Sequence, residues 1–447
     1  MKNHILVKSK KFLLWQYKDS SFLTYIIAKL DNEIVGIQGY IPQSHYDRKL
    51  PKNEIFLTIS EEINCEAILG GWYYPTAPCW PNLDLVESKY KGLDQLCGEF
   101  LRFVNRTQSD GSCLELMTER NEGIGGYSEP HVAKLKQVCR DPYCTISGRS
   151  ESGVARMLED KGNLQQKTIE KIVNFCKLNG LGCDINIEGL ASFTKEECVK
   201  HAQFLDQLGD RLKEEGIRYR VVTVAEDGNL YHGNWRNDLL RDVTCDYVVC
   251  MQYDRMYDYG RLPITPIDFL LKTTEQMKKS LGSSWKKKYI CGLPNYGYKA
   301  YKSNEYWVEL VTTGQLSKAG LLPLPNTREP ESKEVTWEGS STVRGKPKGP
   351  VYYFYSDQVS LDNKTKIMLE QGVNKFSLWH MFGGADMRDT TNINPWFSDA
   401  VVDLVKGTST PPVKPEDPKP EDPEPKPEDP KPKPEDPKPE PEDPKPE

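Results

Sequence analysis

The sequence predicts an α/β fold, a (β/α)8 barrel. Short apolar or β-branched runs alternate with stretches of helical spacing from about residue 61 to residue 407, the rhythm of parallel strands joined by helices. In Gly182-Cys183-Asp184-Ile185-Asn186-Ile187-Glu188, strand alternation puts Asp184, Asn186 and Glu188 on one face and the two isoleucines on the other. A polar inner face under an apolar outer one suits a barrel strand wrapped by helices. The last residues, 408–447, break from this pattern entirely.

Taken in order, residues 1–60 read as an N-terminal extension. Tyr25–Leu30 and Ile34–Ile41 flank Asp31-Asn32-Glu33, the pattern of a β-hairpin. The hairpin resembles the central one of GNAT-type acyltransferases. That family's Gly-rich acyl-CoA loop is absent from the segment, so acetyl transfer is not supported, and a segment packing on the barrel or a fused fragment is expected.

The barrel strands are placed next. Ala67–Tyr74 is an apolar run of strand length, Leu114–Met117 is placed second, and Tyr143–Gly148 third. Helical spacing over Leu164–Leu178 (Ile169, Ile172, Val173, Cys176) leads into the polar-faced fourth strand. A second amphipathic helix covers Cys198–Glu215. Tyr219–Ala225, Tyr247–Tyr253, Tyr289–Pro294 and Phe376–Trp379 complete the strands, with helices over Ile267–Leu281 and Trp396–Val405. The long connection between Tyr298 and Lys375 holds two further short strands, Val335–Trp337 and Val351–Tyr355, and is read as a small insertion between strands seven and eight.

Composition narrows the function. Residues 411–447 carry seven lysines against thirteen acids, a net charge of −6 equal to that of the whole chain. The folded part is therefore near neutral and lacks the basic stripe that nucleic acid requires. No run approaches the roughly 18–20 apolar residues of a membrane span, so no membrane partner is expected, and the protein is taken as a monomer. The start lacks a convincing signal peptide, Phe12–Trp15 being the longest early apolar run. All twelve cysteines fall between Cys65 and Cys291 with no C-x-x-C pair or zinc spacing, so structural zinc is not expected. Buried thiols are the simple reading; disulfides would accompany export. The tail has a proline every two or three residues and almost no apolar side chain, which makes it extended and solvated, a stalk or an inert terminus.

Four stretches in chain order carry the functional reading. Gly182–Glu188 resembles the D-G-x-D-x-D-x-E signature of family-18 glycoside hydrolases, the chitinases and chitobiase-like proteins. Leu181 stands in place of the first aspartate and Asn186 in place of the last. Met251-Gln252-Tyr253-Asp254 resembles the M-x-Y-D that ends the sixth strand. Gly292-Leu293-Pro294-Asn295-Tyr296-Gly297 resembles the G-x-P-x-Y-G of the seventh, and Gly372–Trp379 the eighth-strand segment ending in a sugar-stacking tryptophan. The resemblance implies a TIM barrel that hydrolyses chitin or another oligosaccharide containing N-acetylglucosamine, with the substrate's own acetamide as nucleophile and with neither metal nor cofactor. It implies Glu188 as the acid, Asn186 and Tyr253 on the acetamide, Asp184 in the supporting network, and Trp379 under the sugar. Met251, Asp254 and Tyr296 are the further substrate-binding candidates.

Asn186 divides the expectation. Its amide can still orient the acetamide but carries no negative charge for the cationic intermediate, a loss of about 2.7–4 kcal/mol in comparable sites. Either a slowed hydrolase or a sugar-binding relative follows. The substrate class and the sequons Asn105-Arg106-Thr107 and Asn363-Lys364-Thr365 point to an extracellular, secretory or lysosomal-type compartment.

Overall fold

The computed structural model describes residues 13–18, 24–30, 33–39, 66–73, 83–118, 126–148, 151–188, 193–225, 236–255, 262–301, 304–343, 346–382 and 391–408. The Pro-rich repeats lie outside the described residues. Residues 1–65 and 66–447 form separate compact units. In the first, β1 (Leu13–Lys18), β2 (Thr24–Leu30) and β3 (Glu33–Gly39) make an antiparallel sheet in that order. The expected hairpin is β2–β3; the strand ahead of it was not anticipated.

The second unit is a closed parallel barrel. Its first strands are β4 (Ile68–Tyr73) and β5 (Gln95–Phe103), the latter flanked by the short antiparallel β6 (Leu114–Leu116). Then come β7 (Asp141–Ser147), β8 (Gly182–Asn186), β9 (Tyr219–Val224), β10 (Tyr247–Met251) and β11 (Tyr289–Pro294). An insertion of β12 (Gly297–Tyr301), β13 (Asn304–Val311), β14 (Val335–Val343) and β15 (Lys346–Tyr355) precedes β16 (Lys375–Trp379). Parallel pairing runs β4-β16-β11-β10-β9-β8-β7-β5 and closes through β4–β5.

One placement is corrected. Leu114–Leu116 is not the second barrel strand but the antiparallel flank of β5. The true second strand, Gln95-Leu96-Cys97-Gly98-Glu99-Phe100-Leu101-Arg102-Phe103, buries Gln95 and Glu99. Their polarity hides it from a search for apolar runs.

Alternation along the strands builds two apolar layers. Ile68, Trp72, Cys97, Tyr143, Val222, Val249 and Ile290 pack together inside the barrel. Leu69, Leu96, Ile146, Cys183, Ile185, Val221, Leu293 and Leu378 belong to the larger core shared with the helices. Those helices have ordinary causes. Lys195–Glu214 starts at a Thr194/Glu197 capping box, and Leu164–Asn179 stops at Gly180, whose left-handed φ of 64° closes the helix. No described helix is long and apolar enough to cross a membrane. All ten described cysteines are free thiols.

The insertion is larger than two short strands: it is a four-stranded antiparallel sheet in the order β13-β12-β15-β14. Glu334, at the foot of β14, pins it to the barrel. That wholly buried carboxylate pairs with Lys364 at 2.6 Å and accepts from the backbone N–H of Ile264 and Thr265 at 2.7 and 3.0 Å. The second sequon, Asn363-Lys364-Thr365, includes the lysine of this pair and lies in the helix Gln358–Glu370, with Asn363 partly exposed and Thr365 buried.

Candidate active site

Strand β8 delivers its polar face into the barrel in three steps of increasing exposure. Asp184 is fully buried, Asn186 is 8% exposed, and Glu188, just past the strand, stands in solvent. Ile185 and Ile187 face the helices, as alternation requires. Gly182 is needed for packing: a Cβ there would fall 2.5 Å from the Tyr143 ring.

Asp184 is clamped from both sides. Its Oδ2 accepts from Trp72 Nε1 at 2.8 Å and from Thr145 Oγ1 at 2.7 Å. Its Oδ1 lies 3.0 Å from Arg220 Nε, an ion pair withdrawn from water in which neither atom makes a hydrogen bond. Thr145, Asp184 and Arg220 are register neighbours across β7, β8 and β9, so the cluster is one layer of the barrel interior. Above it, Asn186 Nδ2 donates to Glu188 Oε1 at 2.8 Å. Asn186 Oδ1 is buried and has no hydrogen-bond partner.

The other strand ends meet at the same mouth, since all eight strands run parallel. Trp379 ends β16, in register with Trp72 and Pro294, and its ring lies 6.3 Å from that of Trp72 at 62°. Like Met251 it packs against the inner barrel cluster, and like Tyr253 it packs against the cluster that holds Tyr296 and Tyr298. Asp254 follows β10 in a left-handed backbone conformation, φ 65°, unusual for a residue with a side chain. Tyr296 and Tyr298 both donate to its Oδ1, at 2.5 and 2.9 Å. Burial, with the neighbouring carboxylate second, pushes the Tyr296 phenol well above its usual pKa and keeps it a donor. Tyr296 itself is fully buried and edge-on to Tyr253, at 6.3 Å and 81°. It supports Asp254 and Tyr253 from beneath.

These strand ends crown a closed eight-stranded parallel barrel. The fold is that of chitinases. The chain matches the solved chitinase of Chromobacterium violaceum with a TM-score of 0.57, at 14% identity, over 77% of this chain and 100% of that one. It matches the Bacillus cereus spore cortex-lytic enzyme SleL with a TM-score of 0.56, at 15% identity, over 76% and 74%. A chitinase-like agglutinin from Robinia pseudoacacia gives 0.53, at 13% identity, over 76% and 98%. No family model matches the chain, and no curated protein does so significantly.

Within the chitinase fold, the structure joins the sequence-selected residues into two groups. Asn186 is bonded to Glu188; Met251, Tyr253, Asp254, Tyr296 and Trp379 gather around the ends of β10, β11 and β16. Trp72 links them, bonded to Asp184 and packed on Trp379. Sequence reading missed Trp72, Thr145 and Arg220. For Arg220 a signal existed: a charge at an inward position of the β-branched run Tyr219–Val224 must find a partner. Among the described residues, no cluster of three His, Cys, Asp or Glu side chains could hold a metal ion.

Proposed function

We propose that the protein is a retaining, substrate-assisted glycoside hydrolase of the family-18 type, acting on β-linked N-acetylglucosamine in chitin or chitobiose-type oligosaccharides. The observation that carries this reading is the exposed Glu188 carboxyl with one oxygen held by the Asn186 amide. An amide N–H at Oε1 makes that oxygen the acceptor, so in the acid form the proton sits on Oε2. From there it passes to the glycosidic oxygen as the bond to the anomeric carbon breaks. The acetamide oxygen attacks the same carbon and forms a cyclic oxazolinium ion. Glu188, now a carboxylate, takes a proton from water, whose oxygen opens the ring with retained configuration.

The orphaned Asn186 Oδ1 is an acceptor for the acetamide N–H, which gives the buried group the partner it lacks. Trp379 offers an aromatic face to the sugar, and Tyr253 a hydroxyl to the acetamide carbonyl. Chito-oligosaccharide hydrolysis by the wild type and by Glu188→Gln tests the proposal. Release of sugar by the wild type alone supports it; equal background rates reject catalysis.

A second reading, a glycan-binding protein without turnover, is favoured by the amide at position 186 and by the likeness to a chitinase-like agglutinin. Retention on chitin without sugar release, lost in Trp379→Ala, selects it.

A further inference from the structure

Resting on the hydrolase reading, we propose that Arg220 is a positioning residue of the reaction. By engaging Asp184 it keeps that carboxylate from bonding Asn186, and so leaves the Asn186 amide turned onto Glu188.

Asp184 Oδ2 is satisfied by Trp72 and Thr145, and Oδ1 faces the Arg220 guanidinium. A buried carboxylate without its counter-charge is costly, so removing Arg220 drives Oδ1 to a hydrogen-bond donor, which it lacks even beside the guanidinium. The next polar group along the same face is Asn186, two residues on and carrying an NH2. Its present acceptor, Glu188, stands in solvent and can be satisfied by water. The buried acceptor therefore wins the competition, and the amide turns down into the barrel.

The barrel interior is shaped to hold the guanidinium in one pose. Nη1 donates to Gln95 Oε1 at 2.7 Å and Nη2 to Ser377 Oγ at 3.4 Å. The Trp72 and Tyr143 rings lie 5.1 and 5.2 Å from its central carbon. Opposite, a Cβ on Gly70 would lie 3.0 Å from Gln95 and 3.7 Å from Nη1, so the glycine keeps room for this layer. Four strands thus converge on one cation that itself lies beneath the reacting groups.

The consequence concerns Asn186. With Asp184 paired to Arg220, the Asn186 NH2 is left to Glu188. The asparagine and the arginine form one device.

The test follows the side-chain amide of Asn186 by NMR in protein labelled with 15N-asparagine, assigned by its absence in Asn186→Ala. In the wild type that resonance is expected to move on Glu188→Gln and to be little affected by Asp184→Asn. In Arg220→Met it should lose its response to Glu188→Gln, and kcat should fall roughly ten- to a hundredfold with little change in KM. Arg220→Lys, which keeps a cation for Asp184, should recover both in large part. A preserved response to Glu188→Gln in Arg220→Met, or an unchanged kcat, overturns the proposal. If Arg220→Met does not fold, the wild-type pattern decides: a response to Asp184→Asn as large as that to Glu188→Gln overturns it equally. Failure of the hydrolase reading is seen separately, as a wild-type rate no higher than that of Glu188→Gln, and the amide pattern remains readable in that case.

Discussion

Asn186 Nδ2 and Glu188 Oε1 stand 2.8 Å apart, an amide donating to the carboxyl where the resembling motif places a second acid. The direction of that bond matters more than its length. An ionised aspartate has no hydrogen to give, and could meet Glu188 only by drawing its proton inward.

Asn186→Asp restores a negative charge for the cationic intermediate but removes the oriented donor and sets two carboxylates side by side; the net effect expected is a fall in turnover, by roughly tenfold or more. Steady-state kinetics on chito-oligosaccharides measure this. A marked rise would instead identify the asparagine as a decayed catalytic aspartate.

Trp379 is half-buried, its ring edge-on to those of Trp72 and His380. Trp379→Ala should weaken oligosaccharide binding by about 1.5–3 kcal/mol, the value of one buried apolar side chain, which is roughly ten- to a hundredfold in Kd. Calorimetric titration with a chito-oligosaccharide reads the effect, and unaltered affinity would remove Trp379 from the site.

The Glu334–Lys364 pair predicts stability. Lys364→Met leaves a carboxylate in a fully buried position with only backbone partners, and should cost about 3–5 kcal/mol. Glu334→Gln added to it should recover part of that loss, because the amide oxygen still accepts from the Ile264 or Thr265 N–H. Urea unfolding compares the three proteins; a loss below about 1 kcal/mol in Lys364→Met would mean the pair holds nothing in place.

Acid sensitivity follows from three buried histidines. Burial lowers His131, His201 and His380 to about 4, against about 6.5 when unfolded. In this window the unfolded chain binds the extra protons, so stability is full above pH 6.5 and falls as the pH drops toward 4. Each group contributes up to about 1.4 kcal/mol per pH unit there. His201→Leu removes one such group, whose Nε2 has no partner, and should flatten the slope between pH 6.5 and 4.5 by roughly a third. Unfolding free energies across that range check it.

Much of the barrel was legible because its signals are local. The predicted helix Ile267–Leu281 and strand Tyr289–Pro294 coincide with the observed elements, each marked by its own periodicity. Gln95–Phe103 was not legible, since its inward Gln95 and Glu99 are tolerable only inside a polar barrel interior that no local window reveals. Tyr296 shows the same limit at the site. The resemblance marked it as substrate-binding, but the burial of its ring and its bond to Asp254 arise from segments distant in the chain.

The chain's order of residues alone determined that Asp184, Asn186 and Glu188 share a face, because a strand's alternation is a property of the backbone. It also determined that the repeats from 411 onward lack the apolar side chains to build a core. Only closure of the barrel decided which of those three groups is buried, which meets water, and that Arg220, 36 positions beyond Asp184, becomes its partner. Side-chain pairing across strands depends on register and curvature, and these arise when eight distant segments meet.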